Sequence, residues 1–194
     1  MNKRIADQIA AAQNVTAAMA GDSNLAAALE AAAAACVESL RRGGKVLLAG
    51  NGGSAADAQH VAAELVGRFA AERAGLAAIA LTTDSSILTA VGNDLGFENV
   101  FVRQIQALGR RGDAFIGYST SGASPNILRA FEEARRQGMV CIGLTGNGGG
   151  PMRPLCDHLL EVPSSETPRI QEGHGVLGHV LCSLVETAMF EKTG

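Results

Sequence analysis

Tryptophan is absent from this sequence, tyrosine occurs once, and Phe, Trp and Tyr together make up 4% of its 194 residues. So few flat rings leave no platform on which single-stranded nucleic acid stacks. There is no basic block either: the net charge is −3, which argues against a sequence-independent grip on a phosphate backbone. The hydrophobic fraction reaches 47%, but alanine supplies much of it and no uninterrupted apolar run is long enough for a membrane span. The first residues are punctuated by Lys3, Arg4, Asp7, Gln8 and Gln13. They lack the unbroken apolar centre of a signal peptide, so a cytoplasmic location is expected. Cys36, Cys141, Cys156 and Cys182 form no CxxC pair and sit inside apolar patterns. They read as reduced, buried thiols rather than a disulfide or zinc framework.

What is present is alternation. Residues 1–41 are rich in alanine and read as two helices, the second running from about Leu25 to Arg41 with Asp22 or Ser23 as its cap. Alanine-rich helices bury little area each, which points to packing in an oligomeric interface. After "RRGG", short apolar runs at 45–50, 76–81, 113–119, 139–145 and 158–162 alternate with helical stretches. Those stretches lie near 54–70, 86–108 with a Gly-Asn-Asp break, 125–137 and 167–190. The runs are mostly continuous rather than alternating, as in strands covered on both faces of a parallel sheet. A three-layer α/β fold in one domain, 1–194, is therefore expected, with the α/β core over 42–194. In such a fold the loops that follow strands are where ligands bind.

The first of these loops lies in "AGNGGSAADAQH", 49–60. It has no glycine at the sixth position of GxGxxG and no Walker lysine, so the nucleotide reading fails. A tight turn needing positive φ remains the plain alternative. The loop "YSTSGASPN", 118–126, gathers Ser119, Thr120, Ser121 and Ser124 around Gly122, with Ser124 as N-cap and Pro125 in the first helical turn. Hydroxyls and free N–H groups at a helix N-terminus suit a phosphate dianion, and four hydroxyls exceed what capping alone needs. Lacking lysine and arginine, the loop suits a phosphate held as a handle rather than one being transferred.

His60 and Glu64 stand at i and i+4 on one helix face, a pattern that also fits a surface pair. "RIQEGHGVLGH" adds Gln171, Glu172, His174 and His179, a donor set that suits Zn²⁺ or a similar ion. Gln171 and His179 are separated by about 12 Å along a helix axis and about 80° around it. Sharing an ion then requires long side chains that lean together, or an irregular first turn at Gln171. His174 faces away from His179 and reads as a satisfied core or interface histidine, while Gly173, Gly175 and Gly178 suggest close approach of a backbone or a substrate. Asn93 and Asp94 either meet polyol hydroxyls or cap the next helix. "TGNGGGPMRP", 145–154, is either a second phosphate loop or, with its glycines and prolines, a mobile turn.

Jointly, "LLAGNGGSAADAQHVAAEL", "ALTTDSSILTAVGND", "GYSTSGASPNIL" and "TPRIQEGHGVLGH" resemble the sugar isomerase (SIS) domain family over nearly the whole chain. Within it the likeness is to the branch that converts sedoheptulose 7-phosphate to D-glycero-D-manno-heptose 7-phosphate. The resemblance implies a five-stranded, flavodoxin-like sheet and a homotetramer with sites between subunits. It implies Asn51, Gly52 and Gly53 at the sugar, Asn93 and Asp94 at hydroxyls, and Ser119, Thr120, Ser121 and Ser124 at the phosphate. It further implies one Zn²⁺ per subunit on His60, Glu64, Gln171 and His179, with Glu64 and His179 as the acid/base pair and Glu64 and Gln171 also at the substrate. The rival within the family is a non-catalytic protein that binds the replication initiator, for which loss of Glu64 or His179 would be expected.

Overall fold

The computed structural model describes residues 2–190. Two helices, α1 (Lys3–Ala20) and α2 (Ser23–Arg41), precede the first strand. Asp22 caps α2, its carboxylate accepting from the N–H groups of Asn24 and Leu25. Then follow β1 (Val46–Ala49), α3 (Gly53–Val66), β2 (Ala78–Ala80), α4 (Ser85–Leu95), α5 (Val100–Leu108), β3 (Ala114–Ser119), α6 (Pro125–Gln137), β4 (Val140–Thr145), β5 (His158–Glu161) and α7 (Thr167–Phe190). The five strands form one sheet in the order β2-β1-β3-β4-β5, and every neighbouring pair is parallel.

The continuous apolar runs are explained by the pleat, which sends successive side chains to opposite faces. Val46 and Leu48 of β1, with Ile116 and Tyr118 of β3, enter a core shared with α2, α3 and α7. Leu47 and Ala49, with Phe115 and Cys141, enter a second core shared with α5 and α6. The inner strands β1, β3 and β4 are thus covered on both faces, which gives three layers, while the edge strand β2 leaves Ile79 exposed. α2 buries Leu25, Leu29 and Val37, each contributing roughly 1.5–3 kcal/mol. α1 buries only Met19 of its 18 residues, and α4 buries none of its 11.

Several boundaries differ from the sequence reading. The helix expected to reach residue 70 ends at Val66, because the segment beyond it is drawn onto α7. The break in 86–108 falls at Gly96, φ 87°, not at Gly-Asn-Asp, which lies inside α4. The 145–154 stretch, read as a second phosphate loop or a mobile turn, leads into a 3-10 helix over Gly150–Leu155.

Candidate active site

The order β2-β1-β3 reverses direction between β1 and β3, and a parallel sheet opens a crevice at that point. The glycine loop follows β1 and the serine loop follows β3, so both border it. The N-cap residues of α3 and α6, Gly52 and Ser124, make no side-chain capping hydrogen bond. Both starts therefore keep orphan N–H groups and the positive end of the helix dipole for an anion. Ser124 occupies the N-cap position, but its hydroxyl lies 2.9 Å from that of Ser119 instead of capping α6. The Ser121 hydroxyl accepts from the Ala123 N–H, and Thr120 is half-buried beside them. Asn51 and the buried Asn126 exchange two amide hydrogen bonds of 2.9 and 2.8 Å, tying the two loops together. A cavity of about 340 Å³ lies over this clasp, lined by Asn51, Phe97, Glu98, Ser124, Pro125 and Asn126. A larger hollow of about 680 Å³ between α1 and the start of α7, lined by residues including Ile9, Arg169 and Glu172, holds no acid/base pair and is a helix-packing groove.

The glycine-rich stretch after β4 buttresses the serine loop from behind. Gly146 donates to the Thr120 carbonyl and Met152 to that of Gly122. Gly122 has φ +64°, and a Cβ there would stand 2.2 Å from the Gly149 carbonyl oxygen. Gly122→Ala therefore adds αL strain of about 1–2 kcal/mol to a backbone collision. The expected result is weaker binding of a phosphate-bearing ligand and a lowered melting temperature, read by titration calorimetry and thermal denaturation.

α3 and α7 run side by side in the same direction, since Gln171 lies against Gly53, and His179 and Gly178 lie against His60 and Val61. Gly178 permits that approach: a Cβ there would stand 2.8 Å from Val61. Gly173 packs on Val162 and Met19, whereas a Cβ at Gly175 would meet nothing within 4 Å among the described residues. The His60 and His179 Nε2 atoms are 2.7 Å apart, and a Glu64 oxygen is 3.7 Å from the His60 nitrogen. One donor atom from each of the three falls within 4.8 Å of the others. Two imidazole nitrogens and a carboxylate oxygen converging on one point fit a divalent ion. The Gln171 amide stays against Gly53, about two helical turns before His179. Asn93 and Asp94 are exposed on α4 and joined to each other by a 2.7 Å hydrogen bond.

Glu186, Arg73 and Asp57, near this triad, had no signal in the sequence. Glu186 accepts from the backbone N–H groups of Phe69, Ala70 and Ala71 and from Arg73. Desolvation raises its carboxyl, but those four donors outweigh that and hold it at about 2. Asp57, one turn before His60, has a buried carboxylate oxygen with no partner, and its pKa is raised by desolvation against the opposing pull of His60. His174 is fully buried, with its ring 5.7 Å from that of Tyr118. It is not satisfied as expected: neither ring nitrogen has a partner, and burial pushes it down to about 4. The neighbouring Thr145 backbone opposes that shift without closing a hydrogen bond to the ring. Burial pushes all four cysteine thiols up to about 12, so they are inert, although Cys156 is only half-buried.

A doubly covered parallel sheet with this crevice is shared with a known class, and the chain belongs to the SIS domain family, which it matches over residues 7–146. Among its relatives is phosphoheptose isomerase from Burkholderia pseudomallei, 64% identical over 188 residues, covering 97% of this chain and 95% of the relative. The solved phosphoheptose isomerase from Francisella tularensis superposes with a TM-score of 0.91 at 40% identity, over 95% of this chain and 97% of that one. The one from Neisseria gonorrhoeae gives 0.88 at 44% identity, over 94% and 98%.

Proposed function

We infer that this chain is an isomerase that interconverts sedoheptulose 7-phosphate and D-glycero-D-manno-heptose 7-phosphate. The observation that carries the reading is the convergence of Glu64 and His179, from helices more than 100 residues apart, on the α3 helix that the glycine loop opens in a SIS-family chain. A ketose becomes an aldose when a base removes the proton from C1 and protons are returned at C2 and exchanged between the two oxygens. Glu64 takes the carbon-bound proton, and the imidazole of His179 moves the proton at oxygen, through an enediol. Such transfers contribute roughly 10²–10⁴ each in rate. Ser119, Thr120, Ser121 and Ser124 hold the phosphate with the start of α6, Asn51, Gly52 and Gly53 face the sugar, and Asn93 and Asp94 meet its hydroxyls. His60, Glu64 and His179 would hold Zn²⁺, with Gln171, whose amide lies against Gly53, as the fourth donor. The ion supplies polarisation of the carbonyl and hydroxyl oxygens when bound.

In the same reading the chain is one SIS domain that works in the cytoplasm as a homotetramer, making the first precursor of ADP- or GDP-heptose for bacterial surface polysaccharide. Exposed apolar side chains support the oligomer: Ile5 and Ile9 on α1, Leu95 on α4, and Val176 and Val180 flanking His179 on α7. No helix among the described residues is long and apolar enough to cross a membrane. No observation favours the replication-initiator binder. Incubation with sedoheptulose 7-phosphate, followed by NMR, should show the aldose phosphate accumulating. Absence of turnover would reject the enzyme reading.

A further inference from the structure

α3 stops at Val66, which leaves its last carbonyls without helical partners beside the proposed acid/base pair. Arg73 takes them up. Its Nη2 donates to the Glu64 carbonyl at 2.8 Å and its Nη1 to the Leu65 carbonyl at 2.9 Å, placing a cation where the helix dipole is negative. Its Nε donates to Glu186 at 2.7 Å. Both side chains are almost completely buried, at 2% and 8% exposure, so the pair is shielded from salt and water.

The Glu186 carboxylate does more than pair with Arg73. It gathers the N–H groups of Phe69, Ala70 and Ala71 at 3.0, 2.9 and 2.8 Å, so the strap after α3 is pinned to α7 along its backbone. Glu186 lies seven residues after His179, two turns along the same face of α7. The pinned strap brings the Phe69 ring to 5.8 Å from the His179 ring. One ion pair thus reaches the main chain of Glu64 on one side and the side chain of His179 on the other.

We propose that Arg73 and Glu186 are positioning residues for the active site: they lock the end of α3 to α7 and seat Phe69 on His179, so that Glu64 and His179 keep a set separation and the His179 Nε2 faces His60. None of the three touches the reacting atoms. The proposal rests on the reading of Glu64 and His179 as the proton-transfer pair and, with His60, as metal ligands. It adds a structural requirement that a set of ligands alone does not contain. Arg73→Lys keeps the charge but loses the planar fork that reaches Glu64, Leu65 and Glu186 together.

The test uses the full chain and the variants Glu186→Gln, Arg73→Lys and Phe69→Leu. Zn²⁺ affinity is measured by competition with a chromophoric chelator, kcat and KM with sedoheptulose 7-phosphate, and folding by circular dichroism and thermal melting. Each folded variant should bind Zn²⁺ roughly tenfold or more weakly, as expected when support for a metal ligand is removed. Each should also show kcat reduced by a similar factor, with KM within about twofold. A lower melting temperature with Zn²⁺ affinity and kcat unchanged, or a change in KM alone, would show a merely structural role and overturn the proposal. If Glu186→Gln fails to fold, Arg73→Lys and Phe69→Leu decide by the same criteria. If the parent chain does not turn over this sugar, the functional reading fails, and the Zn²⁺ affinities still decide whether the clamp sets the ligands.

Discussion

Glu64→Gln is expected to lower kcat for sedoheptulose 7-phosphate by roughly 10²–10⁴, the range lost with a general base, while the chain still folds and KM changes little. The replacement keeps the shape of the side chain and removes both its charge and its capacity to take a proton. Glu64 is partly exposed, at 24%, and packs one turn from His60 on the same helix, so the substitution opens no cavity in the core. The residue has two duties in the proposed function, because a carboxylate held tightly by a metal is a poor base. We expect it to bind through one oxygen, or to loosen when substrate arrives. The variant separates the duties if its zinc content is measured beside its kinetics. Retained zinc with lost turnover assigns the loss to proton transfer, whereas turnover restored by excess Zn²⁺ assigns it to metal binding. Unaltered turnover would remove Glu64 from the mechanism.

His60→Ala is expected to lower the metal content from about one ion per chain to a small fraction of that, with affinity falling by at least about 100-fold. His60 presents its Nε2 directly to that of His179, so its removal leaves one imidazole, one carboxylate and the weakly donating Gln171 amide, too poor a set to hold the ion against a chelator. Turnover should fall with the metal, and elemental analysis of protein purified without chelator gives the reference value. Full activity in metal-free parent protein would reject the metal role while leaving the acid/base assignment intact.

The strands were legible because a sheet covered on both faces requires apolar residues at every position, a pattern that β1, β3 and β4 carry openly. The start of α2 was legible from Asp22, and that of α6 from Ser124 and Pro125, although the Ser124 hydroxyl turned out to serve its neighbour Ser119. The end of α3 was not legible. Its continuation, Gly67 to Ala71, has a composition compatible with helix, and what stops it is a carboxylate more than 110 residues away. The break before α5 was misplaced for a local reason, since Asn93 and Asp94 look like a turn but the helix runs through them to Leu95 and breaks at Gly96.

In the site, residue identities came from sequence and their partnerships from the fold. The i, i+4 spacing of His60 and Glu64 is a local fact, and helix geometry alone puts them on one face. Nothing local joins them to His179, and although helix geometry turns His174 away from His179, only the fold buries it against Tyr118 without a partner for either ring nitrogen. The Asn51–Asn126 clasp and the Gly122–Gly149 contact are likewise meetings of separate strand-to-helix loops.

Sequence by itself determined the layered α/β plan, the loops that border the crevice and the residue types available for proton transfer and metal binding, because these follow from periodicity and short-range spacing. Only the tertiary structure decided which histidine faces His60, that Gln171 rests on Gly53, and that Arg73 and Glu186 strap α3 to α7. The physical reason is that a hydrogen bond or a donor set depends on separations of a few ångströms. Between elements distant along the chain, those separations are set by how the helices pack on the sheet.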